Sequence, residues 1–285
     1  YSFSHLTFQE YFTALEVINR FDPQSPEKLF NRMTRKSWRE VFLLAVGMIQ
    51  PADELLLSMK RKIDELLASD NNLQQFLIWI NQKSCLAEVP YKPVVVRTFY
   101  FAFPLEPDYL FAKLLALGYD FADVLALVSK LSKNPILTDF LKLVCELAKN
   151  ITYNFWYAQD LARDLIYNLD HLNALEPELR SSVQQLKAQV PNPDQDLYRF
   201  GEWWTAKSKA WTWELIVLLF EPHNPGYNWQ FSEQQKKLLT QYYDANKLLM
   251  DCLNSGCEVS PEVGQEIEET LLLTIAEIEK RRNKG

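Results

Sequence analysis

Glycine is scarce in this chain: only 7 of its 285 residues, where average proteins carry roughly 7%. The internal ones, Gly47, Gly118, Gly201, Gly226, Gly256 and Gly264, stand alone. A phosphate-cradling loop needs several glycines close together, so none is expected within these residues. Two-residue Asn-Gly or Asp-Gly hairpins are absent too, which argues against a β-sandwich or barrel. With 48% hydrophobic and 24% charged residues, the chain belongs to the globular class.

What remains is helical spacing. Phe8, Tyr11, Phe12, Leu15 and Ile18 share one apolar helix face, and Phe3, Phe8 and Phe12 are expected in a core. Ser25-Pro26-Glu27 reads as a helix start. Ser37…Glu40 and Ser232…Gln235 read as capping boxes. Pro51 should stop the helix opened at Ser37, with further helices over 52–68 and 71–82. Between Glu88 and Asp108, the runs Val94-Val95-Val96 and Phe99-Tyr100-Phe101 would suit a buried strand. No second strand candidate exists to pair with it, so the spacing predicts a helix from Pro93. Helices are then expected over 107–117 (ended by Gly118), 121–132, 135–149, 155–170 and 177–189. After the break at Pro191-Asn192-Pro193-Asp194 come a helix from about 196, a second through Trp211 to Phe220, and a polar loop Glu221–Gln230. The helix capped at Ser232 should run to Asn254 and a last one should start at Ser260-Pro261-Glu262. The fold class is all-α, a multi-helix array of stacked helical hairpins.

The formal net charge is −7, from 37 acidic and 30 basic residues, the wrong sign for a phosphate-backbone binder. Basic runs at 32–36, 60–62 and 280–282 read as solvated helix faces or ends. No apolar run reaches the roughly 18 residues of a membrane span. Cys85, Cys145, Cys252 and Cys257 read as free thiols of a reducing, cytoplasmic compartment. His5, His171 and His223 lie far apart, and Cys252 with Cys257 lacks a second ligand pair, so no metal site is expected. The acid pairs Asp160/Asp164 and Glu266/Glu269 read as exposed faces. No catalytic residue emerges locally; a hydrolase with a dispersed active site through His171 or His223 stays open as an alternative.

Five of the eight tryptophans crowd into residues 200–231: Trp203, Trp204, Trp211, Trp213 and Trp229. One reading is a core with each indole N–H paired. The other is a recognition surface, for which Trp203, Trp204, Trp213 and Trp229 are the candidates.

The opening residues, Phe3-Ser4-His5-Leu6-Thr7-Phe8-Gln9-Glu10-Tyr11-Phe12-Thr13-Ala14, resemble the F-x-H-x-x-F-Q-E-[YF]-F-x-A motif of NACHT-family (STAND) NTPases, relatives of animal NOD-like receptors. In that family the motif closes the nucleotide-binding module within its winged-helix region. Trp79 to Ser84, Pro90 to Val94, Arg97 to Phe101, Gln241 to Asn246, Asp251 to Asn254 and Ile267 to Leu272 look like the C-terminal helical domain of bacterial, notably cyanobacterial, NACHT proteins. Tyr242, Tyr243, Asp244 and Asn246 carry most weight here, having no evident packing need.

The resemblance implies a C-terminal piece of a longer protein. Residues 1–84 would end the winged-helix and helical region, and 85–285 would form the NACHT C-terminal helical domain. His5 would contact the nucleotide's phosphates, given the upstream domain. No cofactor is implied within this stretch; ATP or ADP and Mg belong to the parent. The implied role is regulatory or sensory, in bacterial antiphage defence or signalling. The implied partners are the upstream NACHT ATPase domain, an unknown protein trigger and further copies of the parent, with neither membrane nor nucleic acid. A structural scaffold for oligomerisation is the alternative.

Overall fold

Helix follows helix, as the three-four spacing requires. The computed structural model describes residues 3–19, 32–102, 121–132, 135–150, 155–175, 179–220 and 229–283, and among these it forms no strand. The helices are α1 (Phe3–Asn19), α2 (Arg39–Met48), α3 (Asp53–Glu65), α4 (Asn71–Leu86), α5 (Pro93–Ala102), α6 (Phe121–Ser132), α7 (Pro135–Asn150), α8 (Phe155–Leu175), α9 (Arg180–Gln189), α10 (Leu197–Phe220), α11 (Glu233–Leu253), α12 (Pro261–Thr270) and α13 (Ile275–Arg282). The expected all-α class holds, including the helix from Pro93. The starts expected at Ser25 and over 107–117 with Gly118 lie outside the described residues.

Two compact units divide the chain, and they do not follow chain order. The first joins Tyr1–Leu86, Lys92–Phe101 and Gln230–Gly285; the second holds Ala87–Tyr91 and Ala102–Trp229. The modules drawn from resemblance part at residues 84 and 85, whereas the compact units turn on the return of Gln230–Gly285 to the first hundred residues. In the first unit α11 lies against α2 and α3, α12 against α3, and α1 against α2. In the second, α6, α7, α8 and α9 pack neighbour on neighbour, and α10 covers α9 and α7. That is the hairpin stacking expected of its spacing.

The capping box at Ser232 forms: its hydroxyl accepts from the Gln235 N–H at 3.2 Å, and the Gln235 amide oxygen accepts from the Ser232 N–H at 3.1 Å. The one at Ser37 does not. A 3-10 turn over Lys36–Trp38 puts Trp38 at the cap without a side-chain bond, and the Glu40 carboxylate accepts from Arg39 instead. Residues 197–220 form one helix, not two, because no proline interrupts them and Gly201 alone is too weak a breaker. Beyond α12 the chain adds α13, opened by Thr274, whose hydroxyl accepts from the Glu277 N–H. Phe8 and Phe12 are 60% and 63% exposed, and among the described side chains of α1 Ala14 is in the core; the Phe3 side chain lies outside the described residues. Three-four spacing puts side chains on a common face but does not say which face is covered. Lys60 also departs from expectation: it is buried, since it falls on the same side of α3 as Leu56 and Ile63.

Candidate functional site

Polar groups gather inside the first unit. Lys60 on α3 donates to both carboxylate oxygens of Asp64 at 2.6 Å, one helical turn on, and both residues are buried. Burial pushes the Lys60 ammonium down, and it pushes Asp64 up to about 6, in each case against the attraction of the partner. Tyr242 of α11 is fully buried, which drives its phenol upward. The Asn246 amide donates to the Tyr242 carbonyl at 2.9 Å. Tyr242, Tyr243 and Asn246 are all buried, so this stretch does have the packing reason that sequence alone did not suggest.

Arg97 on α5 is 1% exposed. Its Nε donates to the Leu271 carbonyl at 2.8 Å and its Nη2 to the Glu269 carbonyl at 2.7 Å. These carbonyls belong to the end of α12 and the corner leading to α13, where Leu272 sits at φ 61, a left-handed conformation costly for a side chain of its size. Arg97 thus holds a strained corner through the carbonyls that a helix end leaves free. Burial, reinforced by the positive charge of Arg281, lowers the guanidinium to about 10. Beside it opens a cleft of about 830 Å³ between α5, α12 and α13, walled by Val94, Leu253 and Val259.

The second unit concentrates its aromatics inside α10. Phe200, Trp204, Trp211, Trp213 and Phe220 are all buried. The Phe200 and Trp204 rings stack at 5.9 Å, and the Trp211 indole N–H donates to the Leu186 carbonyl of α9 at 2.9 Å. Of the four candidate recognition tryptophans, Trp204 and Trp213 are therefore core residues: Trp204 shares the side of α10 that carries Trp211, and Trp213, nine residues on, is buried on the opposite side. Trp203 and Trp229 are half-buried, and Trp203 packs its ring on Trp211 at 6.2 Å.

The exposed aromatics lie elsewhere. On α8, Trp156 is 77% and Tyr167 is 69% exposed, on the face that carries Asp160 and Arg163. Arg163 donates to Asp160 at 2.7 Å and to Asp194 at 2.5 Å. Gln159 donates to the Pro193 carbonyl at 3.1 Å, so the 191–196 loop lies along this face and Tyr198, also exposed, follows it. A shallower cleft of about 340 Å³ runs beside Tyr167, Lys187 and Pro193. Exposed tryptophan and tyrosine rimmed by charge have the composition of a protein-binding hot spot. Sequence reading passed over them because the buried Leu161, Leu165 and Leu169 stripe dominates α8. The available signal was an aromatic pair eleven residues apart on the opposite, charged face.

His5 lies in α1, but its side chain is outside the described residues, as is all of His223. His171 is exposed on α8. Among the described residues no group of three or more His, Cys, Asp or Glu side chains could hold a metal. Cys85, Cys145, Cys252 and Cys257 are free thiols. No helix among the described residues is long and apolar enough to cross a membrane.

No curated protein and no solved structure matches the chain. A family model, the NACHT C-terminal Helical domain 2, matches residues 179–274. That span covers α9, α10, α11 and α12, and thus takes in the tryptophan core, the Ser232 capping box, Tyr242, Asn246 and the two carbonyls that Arg97 grips. A NACHT C-terminal helical domain implies a NACHT domain upstream in the parent protein. Over residues 179–274 the chain is thus similar to the NACHT C-terminal helical domain 2, which supports its being a C-terminal part of a NACHT-family protein.

Proposed function

We propose that this chain is the regulatory, sensing part of a NACHT NTPase, and that it controls the nucleotide switch through protein–protein contacts. The family match over residues 179–274 carries this reading. The exposed face of α8, with Trp156 and Tyr167, is where a protein trigger would dock, since aromatics presented to solvent among charged residues supply most of the energy of such contacts. ATP or ADP with Mg binds the upstream domain of the parent, the chain itself performs no catalysis, and His5 senses the nucleotide's phosphates. The setting is the cytoplasm of a bacterium, in antiphage defence or signalling. A trigger can move such a switch only by binding one conformation better than the other.

The fold offers a clean test. The Phe101 and Phe231 rings both pack on Phe76, at 5.7 and 5.0 Å, so the chain leaves and re-enters the first unit against the same side chain. Replacing residues 103–229 of the parent by a short flexible linker removes the second unit while keeping the first. ATP turnover and nucleotide retention should then lose their dependence on the trigger, or escape repression altogether. Unchanged nucleotide dependence would overturn the proposal; if assembly size alone changed, the scaffold role would take its place.

A further inference from the structure

The Arg97 cleft has no part in the reading above, and its chemistry is unusual for a packing defect. A buried guanidinium ordinarily meets a carboxylate, because an unpaired charge away from water is costly. Here, among the described residues, no carboxylate lies within ion-pair distance of Arg97. Its Nη1 is buried and has no hydrogen-bond partner among the described residues. The neighbouring charges are already engaged: Lys92 donates to Glu268 at 2.5 Å, Arg281 donates to Glu277 at 3.4 Å, and the Glu269 carboxylate accepts from Gln265 at 2.7 Å. Around the cleft stand three cationic side chains (Lys92, Arg97, Arg281) and two acidic ones (Glu268, Glu269). Lys92 and Arg281 each have a carboxylate partner, Glu277 for the latter lying outside the lining, whereas the buried Arg97 bonds to backbone carbonyls.

A second feature keeps the cleft open. Gly264 sits within α12 and lines the cleft. A Cβ there would meet only the Leu253 side chain, at 3.8 Å, on the cleft wall. Glycine inside a helix costs about 1 kcal/mol relative to alanine. Its helical backbone needs no glycine, so what the residue provides at this position is space.

We propose that this cleft is a binding site for a small organic acid, one carboxylate on an apolar body, with the carboxylate paired to Arg97 and the body laid on Pro93, Val94, Leu253 and Val259. A volume of about 830 Å³ falls among small-molecule sites, which are mostly apolar with a few placed polar groups. One guanidinium without a carboxylate partner favours a monoanion, since Glu268 and Glu269 oppose a second negative charge. A planar carboxylate also matches the guanidinium fork. Occupancy would tie α5 to the α12–α13 corner.

Octanoate is the probe, titrated calorimetrically into the 285-residue chain, with octanol and inorganic phosphate as controls. Octanoate should bind one to one, and each control should bind at least about tenfold more weakly, the loss expected when one charge-assisted pair or the apolar contact is missing. Arg97→Gln should abolish the preference for octanoate over octanol, although it also releases the α12–α13 corner and can unfold the unit. Gly264→Leu avoids that difficulty: it fills the cleft, leaves Arg97 alone, and improves helix propensity. It should weaken octanoate by about tenfold or more while the unfolding midpoint stays level or rises. Absence of octanoate binding up to its solubility limit, equal binding of octanol, stronger binding of phosphate, or undiminished binding by Gly264→Leu would each overturn the proposal.

Discussion

The two compact units solve the problem of specifying a helical core in opposite ways. The first buries charge and hydroxyl: Lys60, Asp64, Arg97, Thr98, Asn246, Thr270 and Thr274 are all among its interior residues. The second, among the described residues, buries Thr212 as its one polar side chain and otherwise relies on leucine, valine and the α10 aromatics. Helices with simple leucine stripes can slide or rotate against each other at little cost, whereas a buried polar group must meet one particular partner. In the first unit Arg97 uses such partners to join α5 to the α12–α13 corner, while Lys60–Asp64 and Asn246–Tyr242 bond within one helix. The second, whose helices mostly pack on their chain neighbours, has less need of them. Large buried aromatics, with the Trp211 N–H paired to the Leu186 carbonyl, give it a milder form of the same specificity.

Breaking the Lys60–Asp64 pair tests that contrast most severely. Lys60→Met leaves a carboxylate buried alone and should cost about 3–5 kcal/mol. Adding Asp64→Leu should recover most of the loss and bring the protein within about 1 kcal/mol of the original, or above it. Urea unfolding followed by hydrogen exchange of α3 and α11 reads both numbers. The contrast fails if the double variant is as unstable as the single one, for then side-chain volume and not charge pairing governs the site.

In the second unit the corresponding change is Trp211→Phe. It keeps an aromatic ring but removes the N–H that pairs with the Leu186 carbonyl. Leaving that buried carbonyl unsatisfied should cost about 1–3 kcal/mol, confined to exchange in α9 and α10. A loss spread equally over α3 and α11 would mean that the two units do not unfold as separate cooperative bodies.

The same contrast explains what could be read without a structure. Helix positions were legible because capping residues and prolines act locally: Pro93, Ser232 with Gln235, and the break at Pro191 need no tertiary information. Burial was harder to read: along α10 the tryptophan spacing left a core and a recognition surface both open. It failed at Lys60, where a charged residue occupies a core position that only the packing of α11 and α12 against α3 makes habitable. It failed in the opposite sense at Phe8 and Phe12, whose spacing declares a shared face without saying that anything covers it. Arg97 was legible in principle, as a lone charge inside the run from Pro93 to Ala102. Its partners, however, are backbone carbonyls more than 170 residues away in sequence, and no side-chain pattern announces a carbonyl.

The smallest expected effect is on the α8 face, and its smallness is the point. Trp156 and Tyr167 contribute little to the folded core, so Trp156→Ala and Tyr167→Ala should each change stability by no more than about 0.5 kcal/mol, the range of ordinary surface substitutions. Buried aromatics removed in the same way cost about 3–5 kcal/mol, so two tryptophans of one unit, Trp156 and Trp211, should differ severalfold in parallel melts. If Trp156→Ala proved as damaging as Trp211→Ala, the side chain would be a packing element and α8 would lose its claim as the docking face. If both surface variants are silent in stability yet abolish the trigger response of the parent protein, binding and folding are separated on one helix. The face that holds the fold would then carry Leu161, Leu165 and Leu169, and the face that meets the partner would carry Trp156 and Tyr167.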